Sequence, residues 1–83
     1  MQVSTMLRYL FHICDGEEAL DEQGTVLASR DEARAHAITV AGELLRDAGK
    51  KGWRGSEWRL QVTDLAGATV CTLNFLVEDG STS

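Results

Sequence analysis

A chain of 83 residues, 43% hydrophobic and 25% charged, has the composition of one globular domain and leaves no room for a second core. A chain this short buries only about 60–65% of its unfolded surface, so its stability is modest and self-association would add to it. The formal net charge of −5 works against generic attraction to nucleic acid or anionic membranes, both of which need positive charge to neutralise them. Cys14 and Cys71 are too few for a disulfide framework and read as reduced thiols. The apolar stretch Met6 to Cys14 is broken by Arg8 and His12, is too short to span a bilayer, and lacks the small-residue cleavage site of a signal peptide. The cytoplasm is the expected compartment.

Residues 1–5 are polar and patternless and read as a disordered leader, and Met6 is an equally good start for the folded part. Leu7 to Cys14 alternates, with Leu7, Tyr9, Phe11 and Ile13 on one side and Arg8, Leu10, His12 and Cys14 on the other. Aromatic and β-branched residues at period two predict a half-buried strand. Asp15-Gly16 closes it with a turn. Glu17 to Leu20 and Thr25 to Leu27 then flank a second turn, Asp21-Glu22-Gln23-Gly24, and read as short pieces returning beside the first strand. Five acids between Asp15 and Glu22 make this end strongly negative.

Ser29 with Glu32 three residues on forms a capping box, and Asp31 and Glu32 suit the positive end of a helix dipole. Ala33, Ala37, Val40, Ala41, Leu44 and Ala48 recur at three- and four-residue spacing, predicting an amphipathic helix from Arg30 to Ala48 with Gly49 as its C′ residue. Its alanine-rich stripe allows close approach to a sheet. Ile38 and Leu45 widen the stripe on one flank. They either cover the rim of the core or join an interface with a second copy. Arg34 falls about 100° from Ala33, within the apolar arc. It reads as a guanidinium emerging from under the helix or as an anion or partner contact.

Lys50 to Glu57 is a loop. Trp58 to Asp64 alternates, with Trp58, Leu60 and Val62 inward, and Asp64 to Gly67 connects it to a last strand from Ala68 to Leu76. There Cys71, Leu73 and Phe75 are expected inward, and Val70 outward with Leu10. The acidic tail from residue 78 to 83 reads as flexible. The domain therefore spans 6–77. It is α+β, a β-β-α-β-β arrangement with an antiparallel sheet and one amphipathic helix on one face.

The order of motifs is specific as a set. Arg8-Tyr9-Leu10-Phe11-His12 is followed by Asp15-Gly16, Asp21-Glu22-Gln23-Gly24, Asp31-Glu32-Ala33-Arg34, Trp58 to Asp64, Gly67 and Leu73 to Phe75. This set resembles a family of short bacterial proteins with a domain of unknown function, typified by an N-terminal R-Y-[FL]-F-H strand. The resemblance runs from about Met6 to Phe75. Asn74 departs from it, standing where the family pattern has proline. The resemblance implies a compact α+β domain and brings no activity, cofactor or catalytic residue.

His12 and Cys14 share one face of a strand with Asp15 beside them, a partial set for a soft metal or a thiol enzyme. A further ligand, an orienting carboxylate and an oxyanion site all lack candidates. The acids from Asp15 to Glu22 do not have calcium-loop spacing, and Gly49, Gly52 and Gly55 precede a strand rather than a phosphate-binding helix. The loop from 46 to 59 carries five of the eight basic residues, interleaved with Trp53 and Trp58, which suits single-stranded nucleic acid. The need for Trp58 in the core works against that. The sequence thus points to a small non-enzymatic interaction or regulatory module without a cofactor, self-associating or binding an unknown protein. Nucleic-acid binding through Trp53 and Arg54 is the alternative, and a metal- or thiol-dependent enzyme using His12 and Cys14 is third.

Overall fold

The computed structural model describes residues 6–80. The leader expected over 1–5 and the last three residues of the acidic tail lie outside them. The elements in chain order are β1 (Leu7–Cys14), β2 (Glu18–Ala19), β3 (Thr25–Leu27), α1 (Arg30–Lys50), β4 (Glu57–Asp64) and β5 (Thr69–Leu76). All five strands form one antiparallel sheet, ordered β2-β1-β4-β5, with β3 pairing β1 along the edge that β2 also uses. The protein is α+β. The single second strand of the expected β-β-α-β-β order is split in two, because Leu20 to Gly24 leaves the ladder between them.

Registers follow the alternation read in the sequence. Phe11 pairs Val62, Ile13 pairs Leu60, and on the other side of β4 Leu60 pairs Leu73 and Trp58 pairs Phe75. These residues face α1, whose Ala33, Ala37 and Ala41 are buried against them. Alanine at the contact lets the helix axis sit close to the sheet, so a 21-residue helix can pack on β5 and β4 without long side chains. His36, one turn from Ala33, packs its ring edge-on to Phe11 with centroids 5.1 Å apart.

Leu7 is exposed, not part of the inner row. Val70 is half-buried against the core, not on the outer face. The register jumps from Val62–Cys71 to Thr63–Thr69, so β5 carries one extra residue there, and the bulge turns Val70 inward.

The start of α1 is capped by Ser29 as expected, and its end lies further along the chain than expected. Ser29 Oγ accepts the Glu32 amide at 3.1 Å, while Glu32 Oε1 reaches back to the Ala28 amide at 3.4 Å. At the other end the helix runs through Gly49 to Lys50 and is capped at Lys51, with Gly52 at φ 72° as C′. The Gly52 amide donates to Gly49 O at 3.2 Å and the Trp53 amide to Ala48 O at 2.9 Å. These two bonds make a Schellman motif. It turns the chain so that Trp53 folds back onto the core.

Candidate functional site

The split edge of the sheet is organised by Asp21. Between β2 and β3 the β1 backbone has no strand partner, and the Phe11 amide points at the gap. Asp21 Oδ2 accepts that amide at 3.1 Å. Its Oδ1 accepts the amides of Gln23 at 3.1 Å and Gly24 at 3.0 Å. One carboxylate thus replaces a missing strand residue and closes the local turn. Burial pushes the Asp21 carboxyl up, but the hydrogen bonds it accepts from the amides of Gly24, Phe11 and Gln23 outweigh this, and its pKa lies below the ordinary value.

His12 ties the same segment to the outer face. Its Nδ1 accepts the Asp21 amide at 3.1 Å, which places the ring proton on Nε2, 3.1 Å from Thr63 Oγ1. Thr63 is only 6% exposed beneath this clamp. Gly24 sits so close to β1 that a Cβ would come within 2.7 Å of Tyr9 O, and its φ of 74° favours glycine independently.

Cys14 lies beyond His12 on the outer face, half-buried. With His12, Glu18, Arg59 and Gln61 it borders a shallow cleft of about 90 Å³. Both His12 nitrogens are already engaged, and the described residues contain no group of three or more His, Cys, Asp or Glu side chains placed to hold a metal. Sequence reasoning paired His12 with Cys14. The structure pairs it with Asp21 and Thr63, a partner 51 residues away that no local pattern shows.

A second cleft, of about 380 Å³, lies where the end of α1 meets the end of the sheet. Ile13, Leu44, Trp53 and Trp58 line it together with Asp47 and Lys51. Trp58 is buried and packs against Phe75 with the rings tilted at 59° and their centroids 5.4 Å apart, and Trp53 is half-buried against the core. Gly55 packs against the Trp53 indole so closely that any side chain there would strike the ring. Arg54 is exposed beside it.

The helix candidates separate. Arg34 is exposed, not held under the helix, because the buried line runs through Ala33, Ala37 and Ala41. Leu45 packs on the core as a rim residue, whereas Ile38 is 49% exposed. The sequence-based list did not include the feature that stands out most, β5 as a sheet edge. Its eight residues, Thr69-Val70-Cys71-Thr72-Leu73-Asn74-Phe75-Leu76, contain no charge and no proline. Strand order is needed to see that it is an edge.

The direction of its free backbone groups follows from one bond. The Val77 amide donates to Ser56 O at 2.7 Å, so Val77 belongs to a hydrogen-bonded pair with the β4 side. Alternation then turns Cys71, Leu73 and Phe75 toward β4, and Thr72, Asn74 and Leu76 present their amides and carbonyls outward. The Phe11 amide obeys the same rule carried across β4 to β1, which supports the assignment.

The model of the family described as a domain of unknown function (DUF6894) matches residues 8–76. The chain belongs to this family. No curated protein and no solved structure matches it. Membership in DUF6894 agrees with the resemblance carried by the Arg8-Tyr9-Leu10-Phe11-His12 strand and brings no known activity with it. Among the described residues no helix is long and apolar enough to cross a membrane.

Proposed function

We propose that this DUF6894 domain is a non-enzymatic interaction module that takes an extended strand along β5. The observation that carries this reading is the contrast between its two sheet edges. On the β2/β3 side the edge is interrupted, its one gap is filled by Asp21, and five acids crowd the segment from Asp15 to Glu22. Those are the devices by which sheets resist pairing. On the β5 side an uncharged strand offers the outward groups of Thr72, Asn74 and Leu76. An added strand would be held by backbone hydrogen bonds and would cover Leu76, which is 65% exposed.

Nucleic-acid binding through residues 46–59 is not favoured, because Trp58 is buried in the core and the cleft that the half-buried Trp53 lines sets Asp15 and Asp47 beside its Lys51. A thiol or metal reaction at His12 and Cys14 is not favoured while the imidazole clamps Asp21 to Thr63. Selection from a displayed library of extended peptides tests the proposal. Binders whose affinity disappears in Asn74→Pro are expected. A selection yielding only peptides indifferent to that substitution would refute it.

A further inference from the structure

Resting on the open-edge reading, we propose that the strand received at β5 is β5 of a second copy, paired antiparallel about a two-fold axis through Asn74. The outward-pointing residues limit the register, and side-chain complementarity selects the one centred on Asn74. A hydrogen-bonded pair must join two of Thr72, Asn74 and Leu76, and two-fold symmetry about Asn74 joins Asn74 to its own counterpart and Thr72 to Leu76 of the other copy.

Side chains in this register complement one another. On the helix-facing side Leu73 lies opposite Phe75, both only half-buried in one copy. On the outer side Thr72 covers the exposed Leu76. Residues 69–76 are uncharged, so the symmetric pairing sets no like charges across the seam. The bulge at Val70 lies beyond the paired residues and leaves Cys71–Leu76 regular.

Charge and helix position favour a second copy over an unrelated partner. The acids from Asp15 to Glu22 lie at the β2 edge, the far side of the sheet from β5. A ten-stranded sheet joined at β5 keeps the acids of the two Asp15–Glu22 segments at opposite ends, which minimises the repulsion between those segments. On α1, His36 packs toward β1, and Ile38 and Leu45 lie about 180–200° round from it, on the β5 side. Antiparallel pairing puts both helices on one face of the joined sheet, with the Ile38 flanks turned toward each other. The exposed Ile38 thereby gains an apolar neighbour.

Sedimentation equilibrium over a wide concentration range, paired with native mass spectrometry, tests the arrangement. Wild type is expected to approach twice the 9.1 kDa chain mass. Asn74→Pro should stay at the single-chain mass and remain folded, because the lost amide points away from β4. Asn74→Lys and Asn74→Asp each place like charges opposite themselves and should be monomeric alone, while their equimolar mixture should restore the dimer. That rescue separates the register from a folding defect. A dimer that survives in Asn74→Pro, or in Asn74→Lys alone, would overturn the proposal. A wild-type monomer at every concentration would overturn it too, and peptides still captured at β5 would then leave the open-edge reading standing.

Discussion

Replacing Asp21 by alanine removes three acceptor bonds at once, to the amides of Phe11, Gln23 and Gly24. The Gln23 amide is exposed and regains water at little cost. The Phe11 amide is part-buried and has no strand partner, so losing its acceptor costs about 1–3 kcal/mol. Gly24 is held near β1 by the same carboxylate, and freeing it adds roughly 1 kcal/mol. The expected loss is thus about 2–4 kcal/mol, a large share of a domain stability on the order of 4–12 kcal/mol. The melting temperature should fall by roughly 10–20 °C.

Urea unfolding followed by tryptophan fluorescence measures the loss, and hydrogen exchange at the Phe11 amide locates it. That amide should be protected in the wild type and exchange rapidly in Asp21→Ala. The pH dependence supplies a second check. A carboxyl whose folded pKa is depressed contributes stability that is fully present above its unfolded value, near 3.8, and is lost as pH falls through the lower folded value. The difference between wild type and Asp21→Ala should therefore be largest at neutral pH and shrink below that window. A difference under about 0.5 kcal/mol at neutral pH, or one unchanged by acid, would refute the role given to Asp21.

Gly24→Ala combines a positive φ with a Cβ too close to Tyr9 O, and should cost about 2–4 kcal/mol in urea unfolding. Ser29→Ala removes the acceptor for the Glu32 amide and should cost about 1 kcal/mol in the same assay. Gly55→Ala should displace the Trp53 indole, read as a red shift in emission and a weaker near-ultraviolet circular dichroism signal. Arg34→Ala, at an exposed helix position outside the buried line, should leave stability within about 0.5 kcal/mol of wild type.

Much of the architecture was legible in the chain itself because it rests on periodicity and local chemistry. Alternation placed β4, and β1 from Tyr9 onward, with their correct faces. The alanine stripe and the Ser29 cap located α1 at its start. These signals are short-range: a side chain's face follows from its neighbours two or four positions away. The end of α1 was misplaced for the same reason. Gly49 and Gly52 are both eligible terminators, and the choice of Gly52 depends on Trp53 reaching a core that only the assembled sheet provides.

The sites belong to the tertiary structure. Asp21 looked like one turn residue among several acids until β1 presented it with an unpaired Phe11 amide. His12 sat beside Cys14 in the chain, yet its partner across the sheet is Thr63, placed there by the β1–β4 register. Val70 was assigned to the wrong face because a bulge is a property of two strands together. The open edge at β5 depends on strand order, and no composition or spacing within Thr69–Leu76 records which neighbour it has. Local pattern determines what each segment can become. Long-range pairing decides which backbone groups are left over, and in this protein those leftover groups form the candidate site.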